Sequence, residues 1–280
     1  MSLVRKHLRD RFPSADRAPS RLRLVCRDAL YRLRGSPDGL PIPPAALHVL
    51  VSGNARLGVA EYFEVGRLCA DTLETLLRRD GSSLGEIEAL LDFGCGCGRV
   101  LRHVRLRTRA RLFGCDANPA PVAWCRRSLP IGEFSVNGIE PPLTFASGSF
   151  DLVYAFSVFT HLPEPLQQPW IDELVRVLRP GGKVLITTQG RAYAEQLAPA
   201  ERRRLDDDGI LVHGAARPGS NECLVYHTAR YVESKLARGL ELRQSETGAV
   251  IDRRRCLVGQ DAYLFRRPVS LEVAPRAAPR

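Results

Sequence analysis

The stretch Leu91–Leu101, LDFGCGCGRVL, decides how this chain folds. It reads as the end of a strand, a tight glycine turn and the start of a helix. The segment Glu88–Phe93 (EALLDF) is apolar with one acid near its end, the pattern of a parallel strand buried on both faces. Gly94, Gly96 and Gly98 then stand at alternate positions, where the backbone can turn sharply and come close to a ligand. Helical spacing resumes with Val100, Leu101 and Val104. The helix N-terminus therefore faces the turn, and its free N–H groups favour a carboxylate or phosphate there.

Outward from the turn, a second apolar run, Arg111–Asp116 (RLFGCD), ends in an acid 18 residues beyond Gly98. A carboxylate at the tip of a second strand can hydrogen-bond both hydroxyls of a ribose. Dinucleotide enzymes and enzymes that use S-adenosylmethionine share that logic. The spacing here is GxGxG with Asp92 before it, whereas the dinucleotide fingerprint is GxGxxG and needs no such acid. Asp92 is placed to orient a ligand's ammonium group, directly or through water. Ligands of open α/β sheets bind beyond the carboxyl ends of the strands. Asp92, Asp116, the pair Asn137–Gly138 and the run Ala155, Phe156 and Ser157 all fall there.

The chain resembles the class I S-adenosylmethionine-dependent methyltransferases over roughly residues 45–267. LDFGCGCGR (Leu91–Arg99) is similar to the family's first motif and GCDANP (Gly114–Pro119) to the one after it. SFDLVYAFSVFTHL (Ser149–Leu162) is similar to the fourth-strand motif, and LVRVLRPGGKVLITT (Leu174–Thr188) to the turn and fifth strand that follow. The details look most like a bacterial subgroup linked to polysaccharide or secondary-metabolite pathways, through VSGN (Val51–Asn54) and GSNECLVYH (Gly219–His227). The resemblance implies S-adenosylmethionine as cofactor and S-adenosylhomocysteine as product. It implies that Asp92, Gly94, Cys95, Gly96 and Gly98 hold the methionine portion, and that Asp116 holds the ribose. Ala117 and Asn118 would lie beside the adenosine, with Asn137 and its neighbour Gly138 at the adenine edge. Asp116 has a second reading as the cap of the next helix, a role that Asn118 and Pro119 suit better. Asn137–Gly138 also reads as an ordinary turn.

The order of elements agrees with a Rossmann-like α/β fold. A long amphipathic helix is predicted over 57–77, followed by strand 88–93, helix 98–107, strand 110–116, helix 119–128, strand 132–136, strand 150–156, helix 165–178 and strand 182–188. Such repetition argues for a mostly parallel sheet with helices on both faces. A helix near 191–204, the run Ile210–His213, a glycine-rich loop, helix 228–238 and strands 240–246 and 258–266 complete seven strands, the last antiparallel. The expected organisation is a basic N-terminal helical extension with a Pro-rich link (1–55), a methyltransferase domain (56–267) and a disordered tail (268–280).

Residues 1–39 hold ten Arg or Lys against four Asp, a net of +6 within the chain's +10. This arm reads as a solvated face or as a contact for an anionic partner such as nucleic acid, a membrane or a phosphorylated carrier; it lacks the basic-aromatic interleaving of a nucleic-acid surface. No run approaches the ~20 apolar residues of a membrane span, and Met1–Asp10 shows no apolar signal-peptide core, so the expected location is cytoplasmic. The eight cysteines form no CxxC pair and read as buried thiols, with no metal expected.

Methyl transfer requires a nucleophile aligned on an electrophilic carbon and, for a hydroxyl, a base for its proton. His161, after the fourth strand, and His227 with Tyr226, in the late glycine-rich loop, are the candidates. His161 also reads as a structural cap, and His227 and Tyr226 as caps of helix 228–238; His227 is the favoured base. Tyr62, Phe63 and Trp124 are candidates for the pocket wall or the core. Ala155–Ser157 stands where nucleobase and glutamine amine methyltransferases carry Asn/Asp-Pro-Pro-aromatic. The expected acceptor is a small molecule or sugar, methylated on oxygen. N- or C-methylation of a natural product and RNA modification through the basic arm are the alternatives.

Overall fold

In the computed structural model the central strand β1 (Ala89–Phe93) is buried at all five positions, as the apolar run demands. The structure describes residues 31, 33, 35–52, 58–248 and 259–269. Most of the basic arm, Asn54, Cys26, Cys256 and residues 270–280 of the tail lie outside them, so the readings made there do too. Before β1 come helices α1 (Ala45–Ser52) and α2 (Val59–Arg79). After it follow α3 (Leu101–Val104), β2 (Arg111–Asp116), α4 (Pro119–Ser128), β3 (Glu133–Val136), β4 (Phe150–Ala155), α5 (Glu164–Val177) and β5 (Leu178–Thr188). The last third holds α6 (Arg191–Ala194), α7 (Pro199–Asp208), β6 (Ile210–His213), β7 (Leu224–His227), α8 (Ala229–Tyr231), β8 (Glu241–Glu246) and β9 (Asp261–Arg266).

The seven-stranded sheet has the order β3-β2-β1-β4-β5-β9-β8. Its first five strands pair in parallel, and β9 runs antiparallel to both neighbours. Side chains alternate across a strand, so neighbouring positions feed two cores. Leu90, Leu152, Tyr154 and Leu185 join α2 on one face. Leu91, Val153, Ala155 and Ile186 join α5 on the other, with Trp170 and Leu174. Each fully buried leucine contributes about 1.5–3 kcal/mol. Strand order reverses at β1, which has β2 on one side and β4 on the other. That crevice is where open sheets bind ligands.

The structure differs from the sequence reading where turn chemistry overrides periodicity. The helix expected over 98–107 is reduced to α3, because Gly98 at φ 71° cannot be helical and the turn runs on to Val100. The helix expected over 191–204 is two helices: Pro199 has no N–H to give, and Ala198 before it is extended. The helix expected over 228–238 is one turn, α8, followed by a π-helical turn over Val232–Leu236. The glycine-rich loop ends in a strand that periodicity did not suggest, β7, which pairs antiparallel with β6 as a separate hairpin. Among the described residues no helix is long and apolar enough to cross a membrane.

Candidate functional site

A cavity of about 260 Å³ opens beyond the carboxyl ends of β1, β2 and β4. Its floor is the glycine turn. Gly94, Gly96 and Gly98 have φ of 80°, 52° and 71°, left-handed values that cost an L side chain about 1–2 kcal/mol each. The N–H groups of Gly94 and Cys95 both donate to the Cys115 carbonyl at the end of β2, at 2.8 and 2.9 Å. A Cβ on Gly94 would lie 2.4 Å from Val158 Cγ2, so the turn and the loop after β4 are in direct contact.

Asp116, at the tip of β2, is fixed on both oxygens. Oδ2 accepts from the Gly96 N–H and Oδ1 from the Asn118 N–H, each at 2.8 Å. Each oxygen keeps a lone pair for a ligand hydroxyl. Burial raises its pKa, and the two N–H bonds oppose that. The helix-capping role falls to Asn118, whose Oδ1 accepts from the Ala120 N–H at 3.0 Å, with Pro119 as the first residue of α4. Across the mouth, Asn137 donates through Nδ2 to the Gly138 carbonyl at 2.7 Å, while its Oδ1 is buried with no partner. Such an orphan acceptor costs about 1–3 kcal/mol until a donor meets it.

Under the floor, Asp92 accepts from the Tyr154 hydroxyl at 3.0 Å. Burial pushes its carboxyl up to about 8, against the Tyr154 bond and the nearby Arg99 charge. Arg99, the first residue past the last glycine, lines the cavity, and its Nε is buried without a partner. The site therefore offers an acid poised to ionise beside a cation, a guanidinium, a diol acceptor and an unmatched amide oxygen.

Residues 91–186 match a family model described as a methyltransferase domain. This stretch is that of a methyltransferase domain. It is 30% identical over 132 residues to tocopherol O-methyltransferase of Arabidopsis thaliana, covering 43% of this chain and 37% of that protein. It is 29% identical over 115 residues to phosphoethanolamine N-methyltransferase 2 of Caenorhabditis elegans, covering 39% and 25%. The chain thus spans less than half the length of these curated relatives. A solved S-adenosylmethionine-dependent methyltransferase from Mesorhizobium loti superposes with a TM-score of 0.53 at 18% identity, over 71% of this chain and all of that one, a likeness of fold.

The residues around the cavity would suit S-adenosylmethionine: Asp92, beneath the floor, for an ammonium reached directly or through water, Arg99 for a carboxylate, Asp116 for ribose hydroxyls and Asn137 Oδ1 for an adenine amine. Of the residues the sequence assigned to the cofactor, Gly94, Gly96, Asp116, Ala117, Asn118, Asn137, Gly138, Phe156 and Ser157 line the cavity. Asp92, Cys95, Gly98 and Ala155 do not; they are buried around it. The Cys125 thiol and burial keep the Cys95 thiol protonated. Arg99 is an addition to the residues that the sequence assigns to the cofactor; its signal is a cation next to the glycine turn.

The two histidines are placed very differently. His161 lines the cavity, and its Nδ1 lies 2.7 Å from the Cys223 carbonyl. A carbonyl only accepts, so Nδ1 carries the proton and Nε2 is left as the basic nitrogen. Burial lowers its pKa. His227 corrects the sequence reading: it does not line the cavity. It is the last residue of β7, its side chain faces the core, and it is 1% exposed. Nε2 donates to Gln167 Oε1 at 3.0 Å, and burial takes its pKa down to about 3. Tyr226 points to the other face of β7, into a small core with Leu197, Leu205 and Leu211. Tyr62, Phe63 and Trp124 are likewise core residues; the Tyr62 hydroxyl donates to the Cys97 carbonyl at 2.9 Å.

The loop between β6 and β7 closes the same side. Gly219, Ser220 and Asn221 reach the cavity wall. The loop is stitched to the His161 segment by Gly219 N–H to the His161 carbonyl at 2.8 Å, and β7 by Val225 N–H to the Thr160 carbonyl at 2.9 Å.

Proposed function

We propose that this protein transfers a methyl group from S-adenosylmethionine to a hydroxyl of a small, uncharged acceptor, with His161 taking the hydroxyl proton. One observation carries the reading: His161 stands in the cofactor cavity with Nδ1 committed to the Cys223 carbonyl, which leaves Nε2 free of a proton. S-adenosylmethionine supplies an electrophilic methyl on a sulfonium. Arg99, Asp116 and Asn137 would hold the cofactor's carboxylate, ribose and adenine. As the oxygen–carbon bond forms and the carbon–sulfur bond breaks, His161 Nε2 accepts the proton. Its lowered pKa keeps the imidazole neutral, and thus able to act, at neutral pH.

The charge of the described wall supports an uncharged acceptor. Arg99 and Asp116 are the only Arg, Lys, Asp or Glu among the described lining residues, and both serve the cofactor. Ile139, Phe156, Val158, Leu162 and Trp170 supply apolar surface. A phosphate or an ammonium on the acceptor would be desolvated there without a partner. Tocopherol O-methyltransferase among the relatives supports an oxygen acceptor; a sugar hydroxyl satisfies the same chemistry.

The reading is checked by incubating the protein with methyl-labelled S-adenosylmethionine and panels of phenols, sugars, phosphorylated amines and RNA. Label transferred to a neutral hydroxyl is the expected result. Transfer only to an amine would remove the need for His161 as base. Transfer only to RNA would move recognition to the basic arm.

A further inference from the structure

Ser157 is the only described non-glycine residue with positive φ, at 60°. It stands two residues past the end of β4, on the cavity wall. A left-handed serine is strained, and glycine would relieve that strain, so the conformation is held by something that needs the serine side chain. The holding groups come from the tips of β5 and β9. Thr187 Oγ1 accepts from the Ser157 N–H at 2.8 Å. Thr187 Oγ1 donates to Gln260 Oε1 at 2.6 Å, and Ser157 Oγ donates to the same oxygen at 3.0 Å. Each hydroxyl has one proton, and both are spent on Gln260, whose two lone pairs are then filled. Thr187 is fully buried, and Ser157 and Gln260 are half-buried.

We propose that Ser157, Thr187 and Gln260 form a positioning device, in which a strained turn locked across three strand tips aims the segment 158–161 and delivers His161 to the cavity. This rests on His161 as the base. The segment has little latitude: Val158 packs on Gly94 of the glycine turn, and the His161 N–H donates to the Val158 carbonyl at 2.9 Å. A change in the Ser157 torsion therefore shifts the His161 ring relative to the Cys223 carbonyl that sets its tautomer. Thr187 and Gln260 touch neither reacting atom; they act through Ser157.

Nitrogen-15 NMR of histidine-labelled protein reads the His161 tautomer and its titration without an acceptor. Wild type should show one tautomer, Nδ1–H, titrating below the ordinary 6.5. Ser157→Gly should keep or raise the melting temperature, since the strain is gone, yet give mixed tautomers and a titration nearer 6.5. Thr187→Val should do the same to the ring while lowering the melting temperature, and Thr187→Ser should restore the wild-type ring signals. Stability and ring order then move independently, which a merely structural role does not allow. His161 signals identical to wild type in both Ser157→Gly and Thr187→Val would overturn the device. S-adenosylhomocysteine binding by the same wild-type sample separates this from failure of the methyltransferase reading: no binding sinks that reading, and the ring signals still decide the device.

Discussion

The two sides of the cavity, the one proposed for the cofactor and the one proposed for the acceptor, are built by different means. The cofactor side is mostly backbone: three left-handed glycines, two N–H groups on one Cys115 carbonyl, and Asp116 gripped by two further N–H groups. The acceptor side is two loops, 156–162 and 214–223, held by hydrogen bonds to each other and to the core. Backbone geometry tolerates few sequences, so the cofactor side announces itself in a short motif. Two loops laced together tolerate many, which lets one scaffold take different acceptors. His161 and His227 show the difference within one hydrogen-bonded group. His227 donates to Gln167, and Gln167 Nε2 donates to the Leu162 carbonyl at 2.8 Å, so the fully buried histidine braces the loop that carries the half-buried one in the cavity wall.

The sharpest way to break this comparison is to exchange the roles of the histidines. His161→Ala should keep cofactor affinity and lose roughly 10²–10⁴ in turnover on a hydroxyl acceptor. In wild type, turnover should rise with pH through a value below 6.5 and then level, because burial lowers the His161 pKa and the neutral ring is the active form. The pH profile of kcat checks both, and a His161→Ala protein with full turnover would leave alignment alone as the mechanism. His227→Ala should act on stability first. Losing a buried donor costs about 1–3 kcal/mol, a fall of roughly 3–10 °C in melting temperature, with turnover of the folded protein far closer to wild type than that of His161→Ala. Calorimetric melting and turnover on one sample separate the two effects.

A smaller effect sharpens the cofactor side. Without ligand, the Asp92 carboxyl is held near 8 by burial and is largely neutral at lower pH. A ligand ammonium favours the carboxylate, so binding should release a proton below pH 8. Affinity should then strengthen as pH rises toward 8 by at most about tenfold per pH unit. Titration calorimetry in buffers of different ionisation enthalpy counts that proton, and Asp92→Asn should abolish the pH slope.

The sequence displays the residues of the proposed cofactor side because glycine spacing and strand-end acids are local. The run from Leu91 to Asp116 needs no tertiary information to be read as strand, turn, helix and strand. The antiparallel last strand of a seven-stranded sheet was legible from order alone. The position of His227 is not legible in the sequence, because periodicity runs its loop on to the helix. Residues Leu224–His227 instead pair with Ile210–His213, and strand alternation turns His227 inward. Arg99 and Ser157 lay in plain view, but their roles depend on torsions and distant partners, Gln260 being 103 residues from Ser157. No spacing rule carries that information.

The central claim is that this cavity is an S-adenosylmethionine site whose ribose anchor is Asp116. Titration calorimetry of the wild-type protein and Asp116→Ala with S-adenosylhomocysteine, with NADH as the control, addresses it directly. The account predicts saturable binding to wild type, none with NADH, and a loss of about 1–3 kcal/mol in the variant, the worth of hydrogen bonds to a charged acceptor. Absence of binding to wild type at millimolar ligand, or equal affinity in the two proteins, would contradict it.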